Sequence, residues 1–153
     1  MIKLFQYNWR IRDEWFDLCN KIPEEELLRT RIGGAGSILK TLFHIVDVEY
    51  SWIDGISGNV VMDPDYEDYK TLELVKGLSN EYRLIVQKYL DSWTDDMEYN
   101  KVKVEWMEDE LNKGEVLRHI IAHEIHHIGQ LSIWVREMGI KPISANFIHK
   151  GFM

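Results

Sequence analysis

The sequence predicts an all-α fold, a four-helix bundle with a short extended or hairpin insertion before its last long helix. Four segments repeat apolar residues at intervals of three and four, the spacing of a helix that buries one face. One short segment alternates with period two, too little to build a sheet domain. The last long helical segment is apolar round most of its circumference, as a helix surrounded by others must be.

The first helix is expected from residue 2 to about residue 20, where Phe5, Trp9, Phe16 and Cys19 form a stripe with Leu4, Ile11, Trp15 and Leu18 beside it. Pro23 followed by Glu24, Glu25 and Glu26 suits the first turn of a short helix, because proline loses no needed bond there and acids meet the positive end of the dipole. Gly33, Gly34, Ala35 and Gly36 break the chain. Ser37 then reads as the N-cap of a second long helix through Ile38, Leu42, Ile45 and Trp52, ending near Gly55 or Gly58.

Residues 59–70 form an acidic linker whose Tyr66 and Tyr69 are expected to tuck against the body. Thr71 reads as the cap of a third long helix carrying Leu72, Val75, Leu78, Tyr82, Ile85, Val86, Tyr89, Leu90 and Trp93, in which Gly77 costs about 1 kcal/mol and need not end it. Residues 101–106 alternate, with Val102, Val104 and Trp106 facing one way, and read as an extended or hairpin arm. The last long helix is expected over residues 115–138, with Gly139 at its C′ position and Pro142 preventing re-entry. The tail from residue 145 shows no pattern beyond a candidate anchor, Phe147.

A length of 153 residues suits one domain, residues 1–153, with a single core. Cys19 is the lone cysteine, which excludes an intrachain disulfide and a CxxC redox site. A formal charge of −8 without a compensating basic stripe argues against nucleic acid as a partner. The amino terminus turns polar too soon for a signal peptide, and no run reaches the length of a membrane span, so a cytoplasmic protein is expected.

Chemistry concentrates in the last long helix, where four of the six histidines fall within nine residues, from His119 to His127. At about 100° per residue, with His119 as zero, His126 lies near −20°, Gln130 near 20°, His123 near 40° and His127 near 80°, so one edge of the helix is an imidazole ridge. Histidines four apart can aim their rings at one point, and zinc or nickel accepts imidazole nitrogen well, with manganese also admissible. His123 and His127 make such a pair. A third ligand must come from another element, and His44, inside the second long helix, is the internal histidine left. Three imidazoles leave a coordination position open for water or substrate, which a purely structural site does not need.

His123-Glu124-Ile125-His126-His127 also matches H-E-x-x-H, the zincin peptidase string. A zincin takes a third ligand from a separate downstream element, and here Glu137 lies on the same helix while His149 reaches only if the tail folds back. A di-iron bundle needs two Glu-x-x-His pairs, and the position three before His44 is Thr41.

On these residues the chain resembles the DinB-like (YfiT-like) family of metal-dependent four-helix bundles. The matching segments are Ser37-Ile-Leu-Lys-Thr-Leu-Phe-His44 with Glu49 and Trp52, and His119-Ile-Ile-Ala-His123-Glu-Ile-His126-His127-Ile-Gly129-Gln130-Leu131 with Arg136 and Gly139. Tyr7-Asn8-Trp9 is also similar. The closing Pro142-Ile-Ser-Ala-Asn146 departs from the family in lacking an acidic residue.

The resemblance implies one divalent ion held by His44, His123 and His127, and a homodimer. It also implies a scaffold whose reactions vary, including transfers that use low-molecular-weight thiols such as bacillithiol. The expectation is a transferase, with thiol S-transfer as one form, or a hydrolase acting on a small electrophile. Glu124 and Glu49 are the candidate catalytic residues, to orient a ligand ring or move a proton. The alternatives are a metal-binding, stress-related protein without turnover and, further off, a zincin-like peptidase.

Overall fold

The computed structural model describes residues 1–59 and 62–152. Its elements are α1 (Ile2–Cys19), α2 (Glu24–Leu28), α3 (Ile38–Ile56), α4 (Leu72–Asp91), β1 (Lys101–Val102), β2 (Leu111–Asn112) and α5 (Lys113–Glu137). The four long helices close a ring in which α3 packs on α4 and α5, and α1 packs on the same two from the other side. The expected all-α bundle and its hairpin arm are both present. The predicted linker over 59–70 includes residues 60 and 61, which lie outside the described residues; beyond them Tyr66 and Tyr69 pack tilted against Phe43 with ring centres 5.3 and 5.5 Å away.

Local chemistry sets the helix ends. Ser37 Oγ accepts from the Lys40 amide at 3.1 Å and Thr71 Oγ1 from the Leu74 amide at 3.3 Å, each cap contributing about 1 kcal/mol. The last helix starts two residues earlier than its apolar pattern suggests. The reason is a cap: the Asn112 backbone and side-chain amides donate to Glu115 Oε2 at 3.0 and 2.9 Å. That helix ends in a Schellman turn, with Gly139 at φ 74° and the Ile140 and Gly139 amides bonded to the Val135 and Arg136 carbonyls. Of the two glycines offered as the end of α3, Gly58 is the stop, at φ 79°, and Gly55 lies inside the helix.

Lys101 pairs with Asn112 and Val102 with Leu111 in the antiparallel arm. Val104 is buried and pins the arm to the bundle, while Trp106 lies across Gly55, where a Cβ would come within 2.6 Å of its ring. The tail folds back on α1 through Tyr7, whose hydroxyl donates to the Ala145 carbonyl at 2.6 Å, and Phe147 packs tilted against the same ring at 5.1 Å. No helix among the described residues is long and apolar enough to cross a membrane.

The core has two apolar halves. One gathers Trp15, Phe16, Leu42, Leu78, Leu131 and Trp134; the other gathers Phe5, Trp9, Ile53, Val86, Leu117 and Ile120. Burying each such side chain contributes about 1.5–3 kcal/mol. A charged residue also lies within the bundle. Arg12, fully buried on α1, donates from Nε and Nη2 to Glu124 on α5 at 2.9 and 2.6 Å, and from Nη1 to Glu49 on α3 at 2.9 Å and Ser79 on α4 at 3.4 Å. One guanidinium therefore bonds to all three of the other long helices.

Candidate metal centre

The histidine ridge of α5 faces α3 because Leu117, Ile120, Ile128 and Leu131 on neighbouring edges are drawn into the core. That orientation brings His44 to the ridge. His123 Nε2 lies 3.1 Å from His44 Nε2 and 3.1 Å from His127 Nε2, and one nitrogen from each of the three rings falls within 4.8 Å of the others. The structure thus assembles the three histidines that the sequence singles out from two separate helices.

The donor set suits a divalent cation. Zinc binds imidazole nitrogen at about 2.0–2.1 Å, so two nitrogens sharing one ion lie no more than about 4.2 Å apart; the spacings of His123 to His44 and to His127, both 3.1 Å, meet this, and a small ring movement brings the His44–His127 pair, within 4.8 Å, to the same limit. A neutral imidazole carries one N–H, so His123 Nε2 can complete a hydrogen bond with only one of the two nitrogens it faces. A shared cation satisfies all three lone pairs.

The tautomer of His127 is fixed from behind. Its Nδ1–H donates to Gln130 Oε1 at 2.6 Å, leaving Nε2 as a lone pair directed at the cluster. Gln130 Nε2 in turn donates to His126 Nε2 at 3.1 Å. His126 is therefore engaged one step away from the cluster. His119 lies between the Trp52 ring at 5.3 Å and the His123 ring at 5.9 Å. The glycine break contributes as well: a Cβ on Gly34, at φ 53°, would stand 2.6 Å from the Trp134 ring and 3.1 Å from Gln130 Oε1.

Electrostatics keep the three rings neutral. Burial, followed by the neighbouring His127 and His44, pushes His123 down to about 3. Burial also lowers His44, with His127 and Lys40 adding to it, and lowers His127 against the opposing bond from Gln130. Neutral imidazoles are the form that ligates metal, since protonation occupies the lone pair.

Glu124 and Glu49 are placed elsewhere. Both are 2% exposed and bonded to Arg12, and Glu49 Oε2 also accepts from Trp9 Nε1 at 2.8 Å. Among the described residues neither carboxylate bonds to an imidazole. Burial works against the charge on Arg12, but Glu124 and Glu49 outweigh it and raise its pKa further above the ordinary guanidinium value. In the H-E-x-x-H string the two histidines face the cluster while the glutamate is turned into the bundle. His149 is exposed on the tail and stands outside the three-histidine group.

A profile of the DinB family matches residues 1–153. The chain belongs to the DinB family. It is 50% identical over 149 residues to a protein of Bacillus subtilis (strain 168) described as uncharacterized protein YizA, covering 97% of this chain and 94% of that one. Within the DinB family fold of this chain, sequence reasoning passed over Arg12. The signal was present, since a charged residue at position 12 continues the stripe of Phe5, Trp9, Phe16 and Cys19. An arginine on the apolar face of a helix requires buried partners.

Proposed function

We propose that this chain is a divalent-metal-dependent enzyme, a transferase or hydrolase acting on a small electrophilic molecule, with His44, His123 and His127 as the ligands of one zinc or nickel ion. The observation that carries the reading is the convergence of His44, His123 and His127 Nε2 from two helices, with spacings of 3.1 Å. An ion held there supplies Lewis acidity, lowering the pKa of a bound water or thiol. Gln130 holds His127 in the ligating tautomer, and Glu49 and Glu124 act through Arg12 as positioning residues that set α5 against α3. An enzyme is supported over a closed metal store because His126 is bonded to Gln130 and His119 packs on Trp52, leaving three protein donors rather than four among the described residues.

The test is metal content after purification without an affinity tag. Wild type is expected to carry about one ion per chain and His44→Ala to lose most of it; full retention in the variant refutes the ligand set. Metal-loaded protein is then assayed with a low-molecular-weight thiol and an electrophile, with and without the thiol, to separate transfer from hydrolysis. Pairing of two copies belongs to the same proposal, and a monomeric mass in solution refutes that part.

A further inference from the structure

We propose that the cleft beside the histidine cluster binds the cationic end of a small substrate, an organic ammonium or guanidinium group; the inference rests on the metal-dependent reading for where the substrate's reacting end lies. The cleft has a volume of about 450 Å³, within the range of small-molecule sites. One wall is α3, where Asp47 and Ser51 follow His44 by one and two turns on the same face. Glu105 and Trp106 of the hairpin arm complete the lining together with Asp63.

The position is set by aromatic contacts. Trp52 and Trp106 meet at 5.2 Å with their planes at 77°, forming a corner in the cleft. Trp52 also touches His119, which neighbours His123, so the cleft adjoins the cluster through two rings. Indole faces attract cations through their quadrupole.

Charge selects the same ligand class. Among the described residues no lysine or arginine forms an ion pair with Asp47, Asp63 or Glu105, so no basic side chain neutralises the carboxylates of the cleft. Asp47 is bonded to Ser51 Oγ at 3.1 Å. Three carboxylates and two indoles round a cavity recognise an organic cation and repel an anion. Substrates bearing an amine therefore fit this chain, and carboxylate-rich ones do not.

The experiment titrates metal-loaded protein calorimetrically with benzyltrimethylammonium, benzyl alcohol and benzoate. The quaternary ammonium has no lone pair for a metal, so its binding reports the cleft. It is expected to bind about tenfold or more tighter than the alcohol, a difference of about 1.4 kcal/mol; benzoate, which can ligate a metal, is compared with the cation and the alcohol in the His44→Ala variant as well, where it is expected to bind more weakly than either. Asp47→Asn combined with Glu105→Gln should abolish the preference while leaving metal content unchanged. Equal affinities for cation and alcohol, or an undiminished preference in the double variant, overturn the proposal. Cation preference in a wild type that carries no metal would instead sink the metal reading and leave this one standing.

Discussion

Arg12 grips Glu124 through two parallel bonds, Nε at 2.9 Å and Nη2 at 2.6 Å, inside a bundle that leaves neither side chain more than 2% exposed. The same guanidinium holds Glu49, five residues from His44, while Glu124 adjoins His123. The clamp thus joins the two helices that carry the histidine cluster, within about two turns of it.

Arg12→Met is expected to destabilise the fold by about 3–5 kcal/mol, because two buried carboxylates lose their shared counter-charge. Replacing all three groups together, Arg12→Met with Glu49→Leu and Glu124→Leu, should recover most of that loss. Urea denaturation of the two variants checks both. Metal affinity measured on the refolded triple variant separates stability from positioning, and should remain below wild type.

Gln130→Leu removes the acceptor for His127 Nδ1–H and the donor to His126. Metal affinity should fall about 10–100-fold, the usual effect of deleting a partner behind a ligating imidazole. His126→Ala, which leaves the Gln130 bond to His127 in place, should cost much less. Competition with a chromogenic chelator measures both.

Acid should unfold the metal-free protein in a window set by the cluster. The unfolded chain takes up protons on these imidazoles below about pH 6.5, while the folded chain resists, His123 down to about 3. Over that interval the unfolded state binds more protons, so stability is complete above pH 6.5 and falls as pH drops toward 3. Denaturation midpoints between pH 7.5 and 4 should decline less steeply in a variant carrying Gln at positions 44, 123 and 127.

Gly55→Ala puts a methyl group where Trp106 Cη2 would be 2.6 Å away. Alanine favours the interior of a helix by about 1 kcal/mol over glycine, so α3 itself gains. The arm must shift, and Trp106, already 46% exposed, should show red-shifted emission with little change in unfolding midpoint. Unchanged emission would place the arm elsewhere.

The elements were legible because their causes are local. Ser37 and Thr71 cap α3 and α4 with their own side chains, Gly139 ends α5 by adopting positive φ, and the ridge from His119 to Gln130 follows from helical pitch alone. The pair His123 and His127 was readable for the same reason. The alternation of Val102, Val104 and Trp106 pointed to the short arm, but its strand stops at Val102, and of the three only Val104 is buried while Trp106 sits exposed in the turn beyond.

By itself, then, the sequence determined the helices, their ends and which residues share a face. Tertiary structure alone decided which faces meet. His44 reaches His123 across 79 positions, and Arg12 reaches Glu124 across 112, through packing that no local period encodes. The H-E-x-x-H string shows the division most plainly. Its spacing puts two histidines near one edge and Glu124 about 60° further round, on the apolar side, but only the tertiary structure supplies the buried guanidinium of Arg12 that pairs with the glutamate there.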